Sequence, residues 1–191
     1  MRTFIAIDFP DDILEKIAKI ISFLRSQTPE KAPKWVDKDN LHMTLKFIGE
    51  IREDSLPDIQ SLMTRALQDH DVFKISIGRL GMYPNHNNPR VVWLGVSAEE
   101  TLFTIQRKLD LALQDASIPS EKRAYIPHLT IARLRRDTDS TTIRLVGETL
   151  SQIKVDSPGS FFVRQIRLYQ SQLTSAGPIY FPLLTFPLNQ V

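Results

Sequence analysis

Leu41-His42-Met43-Thr44-Leu45 and Pro127-His128-Leu129-Thr130-Ile131 repeat one pattern: a histidine, an apolar residue, a threonine and a second apolar residue. Side chains two apart on a β-strand share a face. Each copy therefore turns an imidazole and a hydroxyl one way and its apolar pair the other way, into a core. Two such strands facing one another across a cleft would gather two proton-transfer groups and two hydroxyl donors, a set that suits an anionic phosphodiester. The copies lie far apart in the chain, so the fold they require brings two half-buried strands together between separate layers.

The rest of the chain reads outward from them. Thr3 to Phe9 is predicted as a strand ended by Pro10, and Asp11 or Asp12 can cap a helix with Ile13, Ile17, Ile20, Ile21 and Leu24 at helical spacing. Pro29 and Pro33 mark a loop before Trp35-Val36, and the first motif strand is predicted over Leu41 to Ile48, stopped by Gly49. A helix over Ser55 to His70, a strand over Phe73 to Leu80, a turn-rich Met82 to Pro89, a strand over Arg90 to Val96 and a helix over about Ala98 to Ala116 follow. The second motif strand is predicted over His128 to Leu134, then a weaker helix near Thr141 to Leu150 and two late strands, Phe161 to Tyr169 and Ile179 to Phe186. The expected class is α+β: one bilobal domain over 1–191, with two antiparallel sheets, helices on their outer faces and a central groove. The two lobes are expected to form a pseudo-twofold pair.

With 191 residues, 42% of them hydrophobic and 24% charged, the chain has the composition of a globular protein with a sizeable core. A net charge of +2 says little about partners. Lys122, Arg123, Arg133, Arg135 and Arg136 crowd the second phrase and Lys34, Lys38 and Lys46 the first; such clusters read first as solvated surface, then as nucleic-acid contact. The absence of cysteine excludes disulfides, thiolate catalysis and cysteine-bound metal, and fits a reducing, cytoplasmic setting. Met1 to Pro10 is too short an apolar run for a signal peptide, and no segment approaches the apolar length of a membrane span, so no membrane partner is expected.

Two imidazoles can hold opposite protonation states near neutrality, one taking a proton from water and the other giving one to a leaving oxygen. Thr44 and Thr130 would donate to the non-bridging oxygens, with Arg133 the best-placed cation. A single His-x-Thr is more often structural; the matched pair, using two of only four histidines, carries the functional reading. His70 and His86 lack this setting and read as surface residues. Zinc would need more ligands than the phrases offer, and there is no Gly-x-Ser-x-Gly elbow or phosphate-binding Gly-x-x-x-x-Gly-Lys-Ser/Thr loop. No metal is therefore expected. Trp93 and Tyr125 could stack on a base; Trp93 reads as core, Tyr125 as a residue of the groove edge.

Leu41 to Glu50 and Pro127 to Arg133 resemble the paired signatures of the 2H phosphoesterase superfamily, above all its bacterial and archaeal RNA 2′,3′-cyclic phosphodiesterases, historically called 2′-5′ RNA ligases. Arg2 to Ile7, Pro89 to Gly95, Leu168 to Ser171 and Gly177 to Tyr180 fit as well, so the resemblance covers the whole chain. It implies a bilobal fold and opening of an RNA 2′,3′-cyclic phosphate to a 2′-phosphate without metal or nucleotide cofactor. It makes His42 the proton donor and His128 the acceptor, an assignment that the near-equivalent phrases themselves leave open. It also places Arg133 on the phosphate and Phe47 on a nucleobase. Both lie five positions after their histidine, where a regular strand would turn them away, so each strand must end or bulge after its threonine.

The partner expected is RNA with a cyclic phosphate end, tRNA fragments among the candidates, handled by a monomer. The alternatives are a phosphodiesterase of small cyclic nucleotides or ADP-ribose cyclic phosphate, and a module that binds RNA ends without chemistry. The 2′-5′ ligation is the reverse reaction at the same site.

Overall fold

The computed structural model describes residues 1–175 and 177–190. Strand β1 (Arg2–Asp8) leads into helix α1 (Asp11–Gln27), β2 (Pro33–Trp35), β3 (His42–Glu50), α2 (Leu56–Leu67), β4 (Phe73–Tyr83) and β5 (Val91–Ala98). Then come α3 (Glu100–Ala112), β6 (His128–Leu134), α4 (Ser140–Ser151), β7 (Gly159–Val163), β8 (Gln165–Leu173) and β9 (Pro178–Pro187). The first motif opens β3 and the second opens β6.

The strands form two antiparallel sheets, ordered β3-β1-β8-β9 and β2-β6-β5-β4-β7. Neither sheet is one half of the chain. The four-stranded sheet takes β1 and β3 from the start of the chain and β8 and β9 from its end, and the five-stranded sheet takes β2, which lies between β1 and β3, together with β4 to β7. Helices are exchanged too. α1 follows β1 yet packs on α4 and β2 of the other sheet, while α3 follows β5 yet packs on α2 and β3. A core of buried aliphatic and aromatic side chains, from Ile5 of β1 to Leu129 of β6, joins both layers. Among the described residues no helix is long and apolar enough to cross a membrane.

The predicted strand Phe161 to Tyr169 is two strands, β7 and β8, broken at Arg164 and belonging to different sheets. No Gly or Pro marks that break, which is how the chain passes from one layer to the other. At α1 neither aspartate is the cap. Pro10 holds that position, its carbonyl taking the Ile13 and Leu14 N–H groups, and Asp11 and Asp12 sit in the first turn, where the helix dipole favours negative charge. α3 ends at Ala112 and continues as a short 3-10 turn to Ala116, closed by Ser117 in the left-handed region.

Candidate active site

In β3 the residues from His42 alternate half-buried and buried as far as Thr44, and then Leu45 and Lys46 are both buried and Phe47 is exposed. The pairing shows why. Ala6 faces Thr44 but Ile5 faces Lys46, so Leu45 is an extra residue, a β-bulge. One inserted residue reverses the face of the residues that follow it, here as far as a second irregularity at Ile48. Phe47 thereby joins the face of His42 and Thr44. β6 repeats the device: Trp93 faces Thr130 and Val92 faces Ala132, Ile131 is the extra residue, and Arg133 joins the face of His128 and Thr130. The bulged Ile131 carbonyl is satisfied by the Val36 N–H at 2.9 Å. β3 and β6, in different sheets, approach each other directly.

Both imidazoles are held alike. His42 Nδ1 lies 2.8 Å from the Asn40 carbonyl oxygen and His128 Nδ1 lies 2.7 Å from that of Ile126, each two residues back. A carbonyl only accepts, so Nδ1 carries the proton and donates, and Nε2 is left as the atom that takes up or releases a proton. The Thr44 and Thr130 hydroxyls, half-buried on the same faces, have no protein partner among the described residues.

The surroundings differ. His42 packs against Phe4 (4.7 Å between ring centroids) and edge-on to Tyr180 (5.0 Å). Asp8 is its cross-strand neighbour; that carboxylate takes the Tyr169 hydroxyl at 2.7 Å and pairs with Arg167 at 2.8 Å. Burial pushes the His42 imidazole below its ordinary value, the Asn40 carbonyl and Asp8 pull it upward, and the Arg133 charge adds to the lowering. The second motif's arginine thus acts on the first motif's histidine. Arg133 also bears on the Tyr180 phenol, which burial raises against the Arg133 and Arg2 charges.

His128 has Tyr83 at 5.4 Å and Trp93 at 6.1 Å, both edge-on. Trp93 is not a core residue, as the sequence suggests, but half-buried on the Thr130 face. Its indole lies on the backbone at Gly81, where any Cβ would collide with it. Phe47 is 55% exposed. Its nearest ring is Phe4, at 6.2 Å.

Two further sequence readings change. Lys46, taken as part of a solvated basic cluster, is 2% exposed, because the bulge turns it inward. It pairs with Asp110 of α3 at 2.6 Å and donates to the Pro119 carbonyl at 2.9 Å. Burial works against the Asp110 charge, but the Lys46 ammonium and the Glu121 N–H outweigh it and hold that carboxyl below its usual range. His70, read as surface, is 8% exposed with its backbone tied to Leu67 and Asn189, whereas His86 is exposed as expected. Tyr125, read as a residue of the groove edge, is half-buried; its hydroxyl donates to the Thr44 carbonyl at 3.1 Å and its ring meets Phe103 edge-on at 6.4 Å. Asp8, Arg167, Tyr169 and Tyr180 escaped the sequence reading, since only the strand pairing brings them beside His42. The alternation of Phe4, Ala6 and Asp8 along β1 is the one hint of a shared face.

A concavity of about 390 Å³ between α2 and α3 and one of about 400 Å³ beside Tyr125 both exclude the two histidines, so chemistry rather than enclosure marks the site. Among the described residues no group of three or more His, Cys, Asp or Glu side chains gathers as a metal-binding set.

The 2′-5′ RNA ligase superfamily model matches residues 9–174. The chain belongs to that family. It is 37% identical over 190 residues to the RNA 2′,3′-cyclic phosphodiesterase of Methanothermobacter thermautotrophicus, covering 98% of this chain and 99% of the relative. It is 37% identical over 180 residues to that of Methanocaldococcus jannaschii, covering 94% and 96%. In three dimensions it is similar to E. coli LigT complexed with 3′-AMP (TM-score 0.76, 26% identity, 99% of this chain and 98% of the other). The α+β architecture of two antiparallel sheets and four helices is the family's fold.

Proposed function

We propose that this member of the 2′-5′ RNA ligase superfamily hydrolyses the 2′,3′-cyclic phosphate at an RNA end to a 2′-phosphomonoester, with His42 and His128 as its proton-transfer pair. RNA 2′,3′-cyclic phosphodiesterase activity is that of its full-length relatives. The observation that carries the two-histidine reading is the duplicated bulged strand, with each Nδ1 spent on a carbonyl and each Nε2 free to exchange a proton.

In this reading neutral His128 takes a proton from water as its oxygen attacks phosphorus. The bond from phosphorus to O3′ breaks and protonated His42 delivers its proton to O3′. The product keeps its phosphate on O2′, and solvent exchange restores both imidazoles. Burial lowers the proton affinity of His42, and the Asn40 carbonyl and Asp8 beside it act against that lowering, toward the charged form that a proton donor needs. Thr44 and Thr130 donate to the non-bridging oxygens and Arg133 opposes the charge gathering there. Phe47, exposed on the same face, is the surface on which the terminal base rests. No metal or nucleotide cofactor takes part. One chain supplies both histidines, so a monomer suffices, and tRNA fragments with cyclic ends are among the RNAs that would serve.

The test is a defined oligonucleotide with a 2′,3′-cyclic end. Formation of a 2′-phosphate by the wild type, lost in His42→Ala and in His128→Ala and indifferent to chelator, supports the reading. A 3′-phosphate product, or normal turnover in either variant, overturns it.

A further inference from the structure

The stretch from Pro119 to Pro127, which delivers His128 to the head of β6, is fastened at two points to the strand that carries His42. At the first point Lys46, its side chain fully buried, holds the Pro119 carbonyl and Asp110, and Asp110 also receives the Glu121 N–H at 3.1 Å. At the second, the Tyr125 hydroxyl donates to the Thr44 carbonyl at 3.1 Å. Ile126 then supplies the carbonyl that orients His128. β3 belongs to one sheet and β6 to the other, so no ladder hydrogen bond fixes one motif against the other. The bulge that exposes Phe47 is also what points Lys46 down to α3.

We infer that Lys46, Asp110 and Tyr125 are positioning residues: they brace the 119–127 segment against β3 and so set the spacing between the two imidazoles. This rests on the two-histidine reading above. The brace acts on alignment in the transition state, and small displacements of acid–base groups are costly there. Its loss should therefore lower kcat and leave substrate affinity alone.

Two variants test this. Tyr125→Phe deletes a single hydroxyl. Lys46→Met with Asp110→Met removes the ion pair without leaving a buried charge behind, a replacement that buried pairs tolerate. With a cyclic-ended oligonucleotide, each is expected to lose about tenfold in kcat with KM changed less than about twofold, at an unchanged unfolding midpoint. Because the two ties hold one segment, combining them should cost less than the product of the separate losses. Wild-type kcat in both folded variants overturns the brace, and so does a raised KM at constant kcat, which would put Tyr125 on the substrate. His42→Ala runs alongside: if it keeps turnover, the two-histidine reading fails whatever Tyr125→Phe does.

Discussion

β3 and β6 are built alike as far as the backbone goes and differ in nearly everything around it. Each carries a histidine pinned through Nδ1 to a carbonyl two residues back, a free threonine hydroxyl and a bulge immediately after it. Yet β3 is an edge strand, whereas β6 lies between β2 and β5. Opposite His42 is Asp8; opposite His128 is Gly95. Beneath the first bulge sits Lys46, paired to Asp110; beneath the second sits Ala132, fully buried. The lesson is a division of labour. The repeated backbone makes the two motifs interchangeable in geometry, and the neighbouring strands give them different surroundings: a carboxylate faces His42 and a glycine faces His128, a difference the proposed acid and base roles would draw on.

The largest expected effect comes from removing either half of the equal part. His42→Ala and His128→Ala should each lower kcat by about a thousandfold, within the range for a positioned proton-transfer group, read by initial rates on the cyclic-ended RNA. Next, Thr44→Val and Thr130→Val should cost about tenfold to a hundredfold each, and similar amounts if the two faces are equivalent. A loss confined to one threonine would break the symmetry.

The unequal part shows first in stability. Lys46→Met alone takes the cation from the partly exposed Asp110 carboxylate and should cost about 1–3 kcal/mol in denaturant unfolding, more than the double replacement. Ala132→Ser, at the matching position, removes no ion pair and should cost markedly less. In the pH profile, Asp8 raises His42 against burial, so Asp8→Asn should move the alkaline limb of kcat/KM to lower pH. An unmoved limb would remove Asp8 from the account.

The smallest effect is on stability against pH. Burial depresses both His42 and His70 in the folded chain. The unfolded chain thus binds more protons as pH falls below the ordinary histidine value, and stability should be full above that value and decline below it. His70→Asn should flatten the decline, measured as the unfolding midpoint across the acid range.

Much of this was legible in the sequence, for identifiable reasons. Alternation in His42 to Leu45 and His128 to Ile131 gave the faces, and the spacing of Ile13, Ile17, Ile21 and Leu24 gave α1. The need for a bulge before Phe47 and Arg133 was visible as a mismatch of parity, but its place could be read only from pairing with Ile5–Ala6 and Val92–Trp93. Lys46 misled because a lysine in a basic run looks solvated until the bulge turns it inward. The exchange of α1 and α3 between sheets, and the passage from β7 to β8 through Arg164, leave no local mark, since both are set by packing between distant segments.

The pH dependence of residual turnover in the two histidine variants tests the central claim most directly. If His42 gives a proton and His128 takes one at the same phosphorus, the bell of the wild type should lose its alkaline limb in His42→Ala and its acid limb in His128→Ala. A full bell in either variant would contradict it.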